Sequence, residues 1–163
     1  MTKAEQLAQA LDRFLEVSNE VEAAAVVSAD GLPMASALPE HVAEDRLAAM
    51  SAALLTLGDR AAEGLGKGDL EQVFVEGASG YVILMAAGPG AVLVSVTSRE
   101  AKVRLILFEM RKTANEIRQV MEGTVQIEAP APVAPPQEQH TAFTPPEAPS
   151  ADVIHHPTVS AWE

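Results

Sequence analysis

A serine flanked by glycines is the first group of residues in this chain whose types could do chemistry. The segment GASGY, residues 77–81, contains Ser79, and a nucleophile elbow holds its serine on a strand-to-helix turn with glycine two residues after it. Here glycine follows the serine directly, and the residues on both sides have the pattern of strands. We therefore interpret the segment as a turn that joins two strands.

A glycine-rich segment, residues 64–68, contains Lys67, and backbone amides together with a lysine can bind phosphate. The phosphate-loop pattern requires glycine where this chain has Ala61, and serine or threonine where it has Gly68. That pattern also precedes a helix, whereas this segment follows one. We interpret it as a loop that ends a helix.

The remaining titratable groups do not form a catalytic or metal-binding pattern. His41 is followed three residues later by Glu44, but no nucleophile or metal ligand can be paired with them by sequence. Glu44 and Asp45 are adjacent, so on a helix they point in different directions. The pair His155 and His156 lacks the further ligands of a stable metal site. We expect no catalytic residue, no metal, no cofactor and no enzymatic activity.

Composition excludes several classes of partner. The formal net charge of -12 opposes binding to nucleic acid or to anionic membrane, which requires clustered Lys and Arg. The chain has no Cys, which excludes disulfides and thiolate metal sites. Its start is charged and amphipathic, and no run approaches about 20 apolar residues. We expect a cytoplasmic protein that does not insert into membranes.

The C-terminal part differs in composition from the rest of the chain. Eight of the eleven prolines lie beyond residue 123, together with five acidic residues and no Lys or Arg. Such a composition cannot bury enough apolar area to offset chain entropy. The sequence predicts one domain over residues 1–122 and a disordered, acidic, Pro-rich tail over 123–163.

Hydrophobic periodicity predicts three helices and five strands within that domain. A capping box, Thr2 to Glu5, begins the first helix, and Thr97 to Glu100 matches a second one. The Asp30–Gly31 pair predicts a hairpin, in which Pro33 places the second strand at a sheet edge. The predicted helices cover residues 3–19, 40–64 and a stretch after 97, and the predicted strands cover 23–28, 32–37, 70–77, 80–87 and 90–97. The element order α-β-β-α-β-β-β-α predicts an α+β domain with a five-stranded antiparallel sheet covered by helices.

The second helix is apolar over more than one face. Six of its apolar residues step by four and three, which is a heptad pattern: Ala43, Leu47, Met50, Leu54, Leu57 and Ala61. This stripe could pack on the chain's own sheet or on a partner. Further apolar residues widen the surface beyond that stripe: Ala48, Ala49, Ala52, Ala53 and Leu55. We expect the sheet to cover one side of this helix and a partner to cover another.

The third helix has a different character, because six of the eleven basic residues lie on it or just before it. They are Arg99, Lys102, Arg104, Arg111, Lys112 and Arg118. The positive surface could meet an acidic partner, or it could be an ordinary solvated helix face.

Several segments in this order resemble the Roadblock (dynein light chain) family, particularly its bacterial members. They are the hairpin AAVVSADGLPMAS, the helix EDRLAAMSAALLTLGDRAAEGL, the strands EQVFVEGASGYVILMAAGPGAVLVSVTS and the closing helix. The likeness covers nearly all of residues 1–122 and implies the profilin-like Roadblock fold. It also implies a homodimer in which the second helices pack together and the third strands pair edge to edge.

The resemblance further implies a regulator of small Ras-like GTPases, which changes GTP hydrolysis or nucleotide exchange. Related bacterial proteins act in cell polarity, motility or signalling complexes with a sensor kinase. On the matching positions the dimer interface would contain Leu47, Met50, Leu54, Leu57, Val73 and Val75. Small residues would let a GTPase approach closely, and these are Ala48, Ala49, Ala52 and Ala53. Two alternatives are a scaffold that leaves nucleotide turnover unchanged and a small-ligand sensor domain.

Overall fold

The computed structural model describes residues 1–123, so the predicted tail lies outside the described residues. The elements are α1 (Lys3–Val17), β1 (Val21–Ser28), β2 (Pro33–Ala37), α2 (Glu44–Gly64), β3 (Gln72–Gly77), β4 (Gly80–Ala86), β5 (Ala91–Ser98) and α3 (Val103–Glu122). The predicted element order and the α+β class with a five-stranded antiparallel sheet are confirmed.

The strands lie in the order β2-β1-β5-β4-β3, and every neighbouring pair is antiparallel. β2 and β3 are therefore the two edges of the sheet. Pro33 begins β2, and an edge tolerates proline because its missing N–H is not needed for a second neighbour. This confirms the prediction that the second strand of the hairpin lies at an edge.

The helices cover the two faces of the sheet unequally. On one face, α1 and α3 pack around Phe14, Leu93 and Ile117, which are almost completely buried. On the other face, α2 covers a smaller cluster that includes Ala25, Val92 and Val94. Only Ala48 and Ser51 of α2 are buried, so most of its circumference is available for other contacts.

Local hydrogen bonds explain where the first helix begins. The Thr2 hydroxyl accepts from the Glu5 amide at 3.2 Å, and the Glu5 carboxylate accepts from the Thr2 amide at 2.6 Å. This is the predicted capping box. The hydrogen bond from the Thr2 amide stabilises the charged carboxylate and lowers the pKa of Glu5 from its usual value.

Two predicted helix starts are wrong. The helix predicted after residue 97 begins at Val103, because Thr97 and Ser98 pair within the sheet as the end of β5. The helix predicted from residue 40 begins at Glu44, after a turn in which the Val42 amide donates to the Pro39 carbonyl. In the first place the residues that resemble a cap belong to a strand, and in the second the residues before Glu44 form a turn. None of the helices within residues 1–123 is long and apolar enough to cross a lipid bilayer.

Candidate interaction surface

One flank of α2 presents large apolar side chains to solvent. Met50 is 51% exposed and Leu57 is 62% exposed, whereas Leu47 and Leu54 are half-buried against the smaller core cluster. These four residues follow the heptad spacing, so they lie along one side of the helix. A single sheet covers only the inner part of that side.

The edge strand β3 lies beside this flank. Gly58 of α2 has no side chain, and a Cβ there would lie 2.9 Å from a Leu70 methyl group and 3.0 Å from a Val73 methyl group. The missing Cβ therefore lets the start of β3 pack closely on α2. Val75, two residues beyond Val73 on the same strand face, is 38% exposed.

We call these six residues the α2–β3 surface: Leu47, Met50, Leu54, Leu57, Val73 and Val75. The structure places all of them on the same face of the sheet, with β3 adjacent to the leucine flank of α2. Within residues 1–123, β3 has β4 as its sole strand neighbour, so its outer edge has free backbone donors and acceptors. This combination of an apolar helix flank and an open strand edge can accept another protein.

The four alanines predicted to face a GTPase do not form one exposed surface. Ala48 is fully buried against the sheet, so its assignment to an exposed partner surface is corrected. Ala52 is half-buried, and its Cβ would lie 3.4 Å from a Cβ on Gly31 in the hairpin turn. Ala49 and Ala53 are exposed. The heptad argument alone could not separate these positions, because all four are equally small and apolar.

The residues considered for chemistry take structural positions. Ser79 lies in the two-residue turn between β3 and β4, and Lys67 lies in the loop after α2, where Gly66 has φ +66°. His41 precedes α2, while the Glu44 carboxylate accepts a hydrogen bond from the Ser36 hydroxyl. Among residues 1–123, no three His, Asp or Glu side chains are grouped so that they could hold a metal ion.

An exposed aromatic side chain was not singled out by the sequence patterns. Phe74 of β3 is 41% exposed on the sheet face opposite α2, and its ring centroid lies 5.3 Å from that of Tyr81. Arg99 stacks near the Tyr81 ring and pairs with Glu76 at 2.9 Å. The strand alternation of β3 could have indicated Phe74, because Val73 and Val75 must then point the other way.

Comparison with known proteins identifies a matching domain family and several relatives of this chain. The family model of the Roadblock/LC7 domain matches residues 7–97. Two uncharacterized proteins of Methanocaldococcus jannaschii are each 35% identical to this chain over 111 residues, which are 66% of this chain and 96% of each relative.

Solved structures agree with this match. The crystal structure of a Roadblock/LC7 domain from Streptomyces avermitilis is 26% identical, with a TM-score of 0.67, and the likeness covers 71% of this chain and 97% of that one. Myxococcus xanthus MglB has a TM-score of 0.73 at 19% identity, over 79% of this chain and 97% of its own. At 19% identity, the likeness to MglB shows a similar fold and nothing more.

Proposed function

Because this chain belongs to the Roadblock/LC7 domain family, we propose that it is a homodimeric, non-catalytic regulator of a small Ras-like GTPase. The dimer would form through the α2–β3 surface. It would then act on the switch loops of the GTPase and change GTP hydrolysis or nucleotide exchange. We place the dimer in the cytoplasm.

The observation that carries the dimer proposal is the exposure of Met50, Leu57 and Val75 beside an open strand edge. A two-fold axis near the outer edge of β3 would pair the two β3 strands antiparallel and bring both α2 flanks together. Apolar side chains of both copies would then lose contact with water, and the backbone groups of both edges would be paired. This single arrangement would therefore cover both the apolar flank of α2 and the open edge of β3.

A second surface of α2 would remain open in such a dimer. The exposed residues Ala49 and Ala53 lie toward the solvent side of the helix, flanked by the exposed arginines Arg46 and Arg60. Small side chains allow a partner's backbone to approach closely, and guanidinium groups can pair with acidic or phosphate oxygens. We assign the GTPase contact to this solvent side of α2.

The assignment predicts that Ala53→Glu abolishes the effect on a GTPase while the protein stays dimeric. The substitution adds bulk and negative charge at an exposed position, so the fold should tolerate it. The measurement is phosphate release from a GTP-loaded Ras-like GTPase of the same organism, with and without the protein, together with fluorescent GDP release. A matched control is Ala78→Glu, because Ala78 is also an exposed alanine and lies in the β3–β4 turn.

Each outcome of that assay assigns a role. Faster phosphate release with the wild type and with Ala78→Glu, but not with Ala53→Glu, supports a hydrolysis regulator that uses this surface. Faster GDP release with the same dependence supports an exchange regulator. Binding without either change would contradict the regulator and favour a scaffold. Absence of binding to the GTPases tested would contradict both.

A further inference from the structure

The solvent side of α3 carries two large apolar side chains. Leu105 is 48% exposed and Phe108 is 56% exposed, although the opposite side of the helix packs into the core through Ile106 and Met110. Leu105 and Phe108 are three residues apart, so they are neighbours on the helix surface. The amino group of Lys112 lies 5.8 Å from the centre of the Phe108 ring. We call Leu105 and Phe108 the α3 patch, which no other element within residues 1–123 buries.

Three exposed arginines lie beside this patch, and we call them the arginine row: Arg104, Arg111 and Arg118. They follow one another at seven-residue intervals, so they lie on one side of α3 with about 10 Å between successive members. Arg111 and Arg118 also line a cavity of about 340 Å³ between α3 and the start of β3. This cavity leaves room beside the row for the side chains of a partner.

The arginine row has no acidic partner in the described part of the chain. Glu109 of α3 is already paired with Lys112 at 3.0 Å. Glu116 of the same helix is paired with Arg13 of α1. Glu71 lines the cavity, but no ion pair within residues 1–123 joins it to the row. Three unpaired guanidinium groups on one helix therefore form a local positive surface in a chain whose net charge is -12.

The α3 patch and the arginine row together have the spacing of a helix that pairs with another helix. When Leu105 and Phe108 are assigned to positions a and d of a heptad, every member of the row falls at position g. In paired helices the a and d side chains pack on the partner, and the g side chains form salt bridges with its charged residues. Carboxylates seven residues apart on a partner helix repeat at the same distance of about 10 Å. In an extended peptide, residues about 10 Å apart are three positions apart and point to opposite sides. The spacing therefore favours a helical partner.

We propose that the solvent side of α3 binds an acidic amphipathic helix of another protein. The apolar side chains of that helix pack on the α3 patch, and its carboxylates pair with the arginine row. Because guanidinium and carboxylate groups form two parallel hydrogen bonds, these pairs fix the register of the two helices. The α2–β3 surface lies on the other face of the sheet, so this contact requires neither the proposed dimer nor the proposed effect on a GTPase.

The charges of α3 disfavour two other occupants. In a parallel pair of copies, Lys112 at position a would face its own counterpart, and in an antiparallel pair the two arginine rows would face each other. Both arrangements place like charges together. An anionic membrane is disfavoured because the net charge of the chain, -12, repels it. A partner with a negatively charged helix is attracted to the arginine row without either cost.

A fluorescein-labelled synthetic peptide of three heptads tests the proposal, with leucine at positions a and d and glutamate at positions e and g. The glutamates repel one another between copies of the peptide, which opposes its self-association. Titration with the full-length protein, followed by fluorescence anisotropy, should show saturable binding. Binding should weaken roughly tenfold or more in the double variant Arg104→Glu with Arg111→Glu, and likewise in Phe108→Ala. All three positions are exposed, so the fold should tolerate these changes.

The matched controls change charge and apolar area away from α3. The pair Lys3→Glu and Lys67→Glu reverses the same number of positive charges, at the start of α1 and in the loop after α2. Leu32→Ala truncates an apolar side chain that is 64% exposed at the hairpin turn. Both controls should bind the peptide as the wild type does. Absence of binding, equal weakening by the lysine pair, or full binding by Phe108→Ala would each overturn the proposal.

Two further measurements distinguish the other occupants. Light scattering should give the same mass for the wild type and for Phe108→Ala. A lower mass for the variant would show that this side of α3 binds a second copy, which contradicts the proposal. Cosedimentation with vesicles of equal parts phosphatidylcholine and phosphatidylserine should leave the wild type in the supernatant. Sedimentation that Phe108→Ala removes would assign this side of α3 to a membrane and would also contradict the proposal.

Discussion

Gly80 shows how a single residue decides the packing of the central strands. A Cβ at this position would lie 2.0 Å from the carbonyl oxygen of Thr97 on β5. Two heavy atoms that are not bonded to each other cannot approach so closely. Gly77, its partner across the β3–β4 turn, is different, because a Cβ there would have its nearest contact at 3.4 Å. The two glycines of the GASG turn therefore have different roles.

We predict that Gly80→Ala lowers the free energy of unfolding by about 2–3 kcal/mol, because the backbone of β4 or β5 must move to remove the overlap. Gly77→Ala should leave it nearly unchanged, since the added methyl group fits an ordinary contact distance. Urea denaturation followed by circular dichroism measures both values. Equal decreases of the free energy of unfolding in the two variants would contradict the close approach of Gly80 to β5.

At the scale of elements, the sequence predicts the order and type of every helix and strand but misplaces two helix starts. The periodic apolar residues carry the correct predictions, because they report which face of an element is buried. Thr97 fits a capping box equally well by sequence, yet its backbone pairs with Val21 and Tyr81 in the sheet. Residue types near a helix start cannot distinguish a cap from the end of a strand when tertiary pairing decides between them.

The exposed flank of α2 was predictable to a similar extent and for the same reason. Heptad spacing identifies the flank of α2 that contains Met50 and Leu57, which the structure leaves exposed. It does not show that Ala48 is buried, because burial depends on which side of α2 meets the sheet. The cavity between α3 and the start of β3 also escaped prediction, since it depends on the distance between these two elements. The sequence indicates which face of an element is apolar, but it does not give the distance between two packed elements.

The role of the α2 flank leads to a prediction about Leu57→Glu. A leucine buried at an interface contributes about 1.5–3 kcal/mol, and a two-fold interface contains it twice. The charged variant should therefore weaken the proposed dimer by roughly two to four orders of magnitude in Kd. Light scattering coupled to size-exclusion chromatography at micromolar concentration should give the mass of a monomer.

Leu32→Glu is the matched control for this variant, because Leu32 is 64% exposed at the hairpin turn and Leu57 is 62% exposed on α2. The same change of side chain at Leu32 should leave the dimer intact. Leu54 is less suitable, since it is half-buried in the core cluster and its replacement would also destabilise the monomer. A dimeric Leu57→Glu protein with a normal circular dichroism spectrum would contradict the α2–β3 interface.

For the whole molecule, charge and apolar burial act in opposite directions. Residues 1–123 carry -7 of the net charge of -12, so two domains that approach one another repel at long range. An apolar interface is not weakened by salt, whereas the repulsion is screened beyond about 10 Å at 0.1 M ionic strength. The proposed dimer should therefore form more readily as ionic strength rises.

The thermal stability of the whole molecule should depend on protein concentration if folding and dimerisation are coupled. Association stabilises the folded state by mass action, so the Tm of the wild type should rise as the protein concentration increases from 1 to about 100 μM. Leu57→Glu should have a lower Tm that stays constant over the same range, because a monomer gains no stability from association. Differential scanning fluorimetry with an extrinsic dye gives these values. A wild-type Tm that is independent of concentration, at concentrations where light scattering shows a change from monomer to dimer, would mean that the domain gains no stability from its partner copy.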